Sequence, residues 1–229
     1  MTLEHFVLTA EVQTILLGIA AILCFVKYRS RSLIVRLLGF NFLMGFMANV
    51  SSYLMIRLGT FRGFSNIPGV CYSIISITLL SYIYWIILFG RKKIWFSVTI
   101  GLFTLFTVLN FYYVQKTSPN TNSLVLSAGI LICYSLWYFY TLIRDLPSLH
   151  VHQLPMFWFN SALLLLNAGT FFLFSFTSYL INVLKSDLIT YWSFHNMMSI
   201  FAHLLVLVGL YYDFRQVKIT KAPSIPAGS

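Results

Sequence analysis

Glu11, Gln13, Asn49, Asn167, His195, Asn196 and His203 are the side chains whose types and positions offer binding chemistry in this sequence. All seven fall inside long apolar runs, where a polar group is costly and is expected to face a bundle interior or a cavity. His195 and His203 are eight residues apart. At about 100° per residue they lie roughly 80° apart around one helix and share a broad face. Imidazole titrates near neutral pH, so a carboxylate at the same depth is its natural partner.

The same inventory argues against catalysis. Of the five acidic residues, Glu4 is terminal, Asp145 and Asp187 fall between apolar runs, and Asp213 closes the last one. Only Glu11 lies within a run, so no carboxylate dyad, acidic ion cage or proton-relay chain can form. GxSxG, HExxH, P-loop and GxGxxG patterns are absent. The seventh run has no lysine for a retinal Schiff base. A zinc hydrolase of seven helices would need a third histidine and an aspartate from earlier runs. His150 and His152 sit instead in the segment between the fifth and sixth runs, far from the depth of His203. Cys24, Cys71 and Cys133 are odd in number and show no CxxC spacing, so they are expected to be packing residues without disulfide or metal. The expectation is a non-enzyme with no cofactor and no metal site.

The elements that must position these side chains are long helices. The 229 residues are 59% hydrophobic and only 9% charged, with a mean hydropathy of +0.84, against about 25% charged in a soluble domain. A span needs about 20 apolar residues. Runs bounded by charges, Pro or Gly give seven, at 8–27, 33–57, 67–89, 94–114, 123–143, 156–183 and 189–212. Period-two alternation is missing, which excludes a β-barrel. The sequence predicts an all-α polytopic membrane protein with one domain, residues 1–214, and a tail, residues 215–229. The N-terminal "MTLEHFVLTAEVQ" has neither a basic n-region nor a cleavage site, so no removable signal peptide is expected.

Charge orients the bundle. Lys27, Arg29, Arg31, Arg36, Arg91, Lys92, Lys93, Arg144, Arg215, Lys218 and Lys221 fall on one side, against Arg57, Arg62, Lys116 and Lys185 on the other. The positive-inside rule then predicts the N-terminus outside and the C-terminus cytoplasmic. The net charge of +10 reads as orientation and contact with anionic membrane lipids, with no nucleic acid as partner. Tyr28, Trp95, Tyr112, Tyr113, Tyr191, Trp192, Tyr211 and Tyr212 fit interfacial aromatic belts. With this orientation Glu11 and His195 fall at similar depth in the first and last spans. A contact between them is expected, with Gln13 or Asn196 beside it, forming the polar end of a pocket that runs toward Asn167 and His203.

Two further patterns bear on function. Asn41 is followed after the same interval as Asn167 by "SYL", at 52–54 and 178–180. This echo suggests parallel repeats of spans one to three and five to seven, a design known among transporters. Separately, "LPMFWFNSALLLLNAGTFFLF" followed by "YWSFHNMMSIFAHLLVLVGLYYD" resembles the end of the seven-helix input domains of some bacterial sensor kinases and their kinase-less relatives. Pro155, Phe157, Trp158, Trp192, His195 and Asn196 carry the resemblance, which covers residues 154–213. No kinase module follows in this sequence. The resemblance therefore implies a membrane sensor or signal-transduction subunit that binds a small apolar or amphipathic ligand between helices and acts through a separate kinase or other membrane subunit. The repeat suggests a small-molecule transporter or channel instead. An accessory subunit of a membrane complex is the third class compatible with the composition.

Overall fold

The structure is a computed structural model that describes residues 3–58, 67–88, 93–114, 121–145, 150–182 and 188–221. Seven helices follow the apolar runs: α1 (Leu3–Phe25), α2 (Leu33–Leu58), α3 (Ile67–Leu88), α4 (Lys93–Leu109), α5 (Thr121–Asp145), α6 (Pro155–Asn182) and α7 (Leu188–Lys221). Each, α4 together with the turn that follows it, is long and apolar enough to cross a membrane, and no strand occurs among the described residues. The chain is an integral membrane protein built as an all-α bundle. The positions of Arg62, Arg91, Lys92, Lys116, Lys185 and Asp187 lie outside the described residues, as do the side chains of 178–180.

Two element ends differ from the sequence expectation. α7 runs to Lys221, well past residue 214, because "DFRQVKITK" contains no Pro or Gly and a polar helix persists once it leaves hydrocarbon. α4 ends in a π-helical turn, Asn110–Val114, where Asn110 accepts a hydrogen bond from Asn122 Nδ2 at 3.0 Å. This side-chain bond ties the wide turn to the start of α5.

The helices form a ring in the order α1, α2, α3, α5, α6, α7 and back to α1, with α4 outside it against α3 and α5. Small residues set the closest approaches. A Cβ on Gly39 would lie 2.7 Å from Cys24 Cβ, and one on Gly209 would lie 2.6 Å from the Phe159 ring. These positions bring α1 against α2 and α6 against α7, as membrane helices require when packing rather than solvent exclusion holds them.

The apolar core occupies one half of this ring. Its residues include Leu17 to Cys24 on α1, Val35 to Phe42 on α2, Ile77 to Tyr84 on α3, Phe159 and Ala162 on α6, and Ala202 to Leu210 on α7. Most lie toward the end that carries the α1–α2 and α5–α6 connections, called here the basic end, with Ile77 at mid-span. In the far half the buried residues are mostly small and polar: Ser73, Asn110, Thr121, Ser123, Thr170, Ser193, Asn196 and Ser199. Of the buried apolar residues there, Ala128 and Phe174 stand outside the core cluster, while Leu131 belongs to it.

Candidate functional site

The far half between α1, α6 and α7 holds the predicted polar residues that meet across helices. A threonine hydroxyl in a helix donates to the carbonyl one turn back, leaving its lone pairs free to accept from a neighbour. Thr9 Oγ1 donates to Phe6 O at 2.9 Å and accepts from Asn196 Nδ2 of α7 at 3.3 Å. Thr14 Oγ1 donates to Ala10 O at 2.8 Å and accepts from Asn49 Nδ2 of α2 at 3.5 Å. Thus α1 is joined to both neighbours through two threonines that the sequence reading had passed over. Gln13 is half-buried, one turn after Thr9.

His195 faces a different neighbour from Asn196. Its ring lies 5.3 Å from Phe174 of α6 and 5.9 Å from Trp192, centroid to centroid. Its Nδ1 is buried and has no hydrogen-bond partner among the described residues. An unsatisfied buried nitrogen costs about 1–3 kcal/mol, and buried polar groups are otherwise almost always paired. A nitrogen of this kind, held between an indole and a phenyl ring, is equipped to give or take one hydrogen bond with a largely apolar guest.

The expected Glu11–His195 contact is not formed. Glu11 is exposed, and no ion pair or hydrogen bond joins it to His195. The reason is rotational: Thr9 faces α7, and a residue two positions on lies about 200° around the helix. The pocket drawn toward Asn167 and His203 also separates into local contacts. Asn167 Nδ2 donates to Leu163 O on its own helix at 2.8 Å. His203 is buried, with Nδ1 2.6 Å from Ser199 O and its ring against Phe42 of α2.

Two polar clusters in the basic half escaped the sequence reading. Tyr84 donates to Asn160 Oδ1 at 2.6 Å and lies 2.8 Å from Ser135 Oγ, while Asn160 Nδ2 donates to Ser135 O at 3.2 Å. All three residues are 0% exposed, so the triangle locks α3, α5 and α6 together with every group paired. Tyr84 lies about one turn from the basic end of α3, where a tyrosine reads as an interfacial residue, so no sequence signal singled it out. At the basic end the side chain of Arg31, fully buried, pairs with Asp213 of α7. Its Nε donates to Val26 O at 3.2 Å and its guanidinium lies 3.4 Å above the Phe214 ring. A cation at the negative end of α1 is favoured by the helix dipole, and Lys27, left-handed at φ 57°, turns the chain so that Arg31 can fold back. The scarcity of carboxylates made Asp213 conspicuous in the sequence, but nothing there identified its partner.

No three His, Cys, Asp or Glu side chains gather as a metal-binding group among the described residues. The rings of His150 and His152 are 5.8 Å apart, and His152 lies beside Tyr212, at the basic end of α7 and about 13 Å along the helix from His203. All three cysteines are free, with Cys24 buried and Cys71 and Cys133 exposed; only Cys24 is therefore an interior packing residue. Compared with family models, curated proteins and solved structures, the chain matches none.

Proposed function

We propose that this protein is a non-catalytic membrane sensor or signalling subunit, in which an apolar or amphipathic ligand binds in the far half beside His195 and Asn196. The observation that carries this reading is the unpartnered Nδ1 of His195 between Phe174 and Trp192. A ligand shifts a conformational balance only by binding one arrangement better than another, and α7 supplies a route for that shift. From Asn196 to Asp213 the helix covers about 26 Å, linking the far-half contacts to the buried pair with Arg31 and to the helical extension ending at Lys221. A small displacement of α7 on ligand binding is thereby presented to a separate partner, a kinase or another membrane subunit, at the basic end. With the basic end cytoplasmic, as the charge distribution favours, the ligand enters from outside; the resemblance to bacterial sensor-kinase input domains is what supports a bacterial inner membrane.

The test is to extract purified protein with organic solvent and identify retained small molecules by mass spectrometry. The expected result is a species near one equivalent per chain in wild type, strongly reduced in His195→Ala. A molecule retained equally by both proteins, or none in either, contradicts the reading. Orientation is checked by labelling single cysteines in intact cells, in a background lacking the native three. Positions at 90–93 and in the C-terminal tail should resist an impermeant thiol reagent, and one near Asn120 should react.

Transport is the second reading, and one observation favours it. Exchanging α1, α2, α3 for α5, α6, α7 reproduces the ring's neighbours: α1–α2 becomes α5–α6, α2–α3 becomes α6–α7, and α1–α7 becomes α5–α3. The echoed asparagines do not share an environment, since Asn41 is buried with its Oδ1 unpaired and Asn167 bonds its own helix. Flux of the identified molecule across proteoliposomes separates the two readings: the sensor reading expects none above protein-free vesicles.

A further inference from the structure

We propose that the lipid-facing groove between α1 and α2 is a binding site for one anionic phospholipid, with an acyl chain in the groove and the phosphate on Arg36. One wall is the α1 face of Gly18, Ala21, Ile22, Phe25 and Val26, and the other is Leu43 and Phe46 of α2, enclosing about 430 Å³. A Cβ on Gly18 would meet the Phe46 ring at 3.1 Å, so the missing side chain gives the groove its depth. Ile22 is 67% exposed, which marks this as an outer surface of the bundle. The lining offers no polar side chain, so an extended peptide would leave its backbone groups unsatisfied there, whereas a hydrocarbon chain has none to satisfy.

The chemistry changes at the basic end. Phe25 stacks on Tyr28 at 5.8 Å and meets Phe40 edge-on at 5.5 Å, and the Arg36 guanidinium lies 5.2 Å from the Tyr28 ring centroid. Arg36, Phe40 and Leu43 follow at i, i+4 and i+7 on one face of α2, so the cation stands in line with the groove. Arg36 Nε is buried and has no hydrogen-bond partner among the described residues. Among the described residues the carboxylates that could neutralise it are engaged or remote: Asp213 pairs with Arg31, Asp145 with Arg144, and Glu4 and Glu11 sit at the other end of α1. Exposed Lys27 and Arg29 add positive charge at the same connection. A phosphate supplies the charge and acceptors that the protein withholds. From Gly18 to Val26 the groove runs about 12 Å, close to the ~15 Å depth of one leaflet's hydrocarbon. An apolar channel one leaflet deep, opening under a cationic rim, has the proportions of a phospholipid.

The experiment is a native mass-spectrometry titration of purified protein with palmitoyl-oleoyl phosphatidylglycerol and with phosphatidylcholine of the same chains. Wild type should retain one phosphatidylglycerol in clear preference to phosphatidylcholine. Arg36→Gln should cut that preference about fivefold, Arg36→Lys should largely keep it, and Arg57→Gln, at the opposite end of α2, should leave it unchanged. Leu43→Trp, and Ile22→Trp as an exposed alternative, should weaken both lipids by filling the groove. Equal retention of the two lipids by wild type, or an undiminished preference in a folded Arg36→Gln protein, would overturn the proposal.

Discussion

The two halves of the bundle are built from the same lengths of apolar helix but are held together differently. In the basic half, large aliphatic and aromatic side chains interlock around two polar clusters whose groups are paired: Tyr84, Ser135 and Asn160 in mid-ring, and Arg31 with Asp213 at the end. In the far half, single hydrogen bonds from Asn196 and Asn49 to α1 threonines cross between helices. Among the described residues unpaired buried polar atoms occur in both halves, His195 Nδ1 in the far one and Arg36 Nε and Asn41 Oδ1 in the basic one. In a membrane both arrangements are compatible with folding, because lipid does not drive helices together as water does. The difference is in how many alternatives each leaves open. Close glycine contacts occur in both halves, since a Cβ on Gly169 would run into Met198 Cε between α6 and α7. What differs is that the basic half has closed polar clusters and the far half is joined across helices by isolated bonds; a half joined in that way can shift, which is what a ligand site requires.

That contrast gives graded expectations for stability, read as thermal unfolding in one detergent. Asp213→Ala strands the buried Arg31 guanidinium and should cost the most, about 3–5 kcal/mol. Asn160→Ala opens the Tyr84 triangle and should cost about 1–2 kcal/mol. Asn196→Ala removes one far-half bond and should cost about 0.6 kcal/mol, since Thr9 keeps its bond to Phe6 O. Glu11→Gln, at an exposed position, should stay within about 0.5 kcal/mol of wild type. If Asn196→Ala were as damaging as Asp213→Ala, the distinction between the halves would be gone.

Most of the architecture was written in the pattern of apolar runs and breakers. The observed helix ends fall within a few residues of the predicted ones at most termini, since Pro, Gly and charge clusters stop hydrophobic spans locally. The length of α7 was missed because beyond Asp213 the limit is helix propensity and no longer hydropathy. The site was only half legible. Asn196 and Asn49 do bridge helices, and His195 is held at a helix interface, because a polar side chain in a span must turn inward somewhere. Where it turns depends on rotation about each helix, and a depth argument fixes height alone. Glu11 and His195 match in height and differ in direction, which is why their pairing failed. Thr9 and Thr14 were invisible for another reason: their hydroxyls donate to their own helix, so nothing in the sequence marks that they also accept from a neighbour.

Photolabelling tests the central claim, that the far half receives a guest while the basic half is closed. Protein in nanodiscs is exposed to a palmitic acid carrying a diazirine on its chain, irradiated, digested and mapped by mass spectrometry. Labels on lipid-exposed faces are expected everywhere. The claim predicts additional labelling on residues 170–176 of α6 and 189–199 of α7, reduced by His195→Ala and competed by excess unlabelled palmitic acid, with none on the buried faces around Ile77, Ile83 and Val206. Labelling confined to exposed faces, or far-half labelling indifferent to both His195→Ala and the competitor, would contradict it.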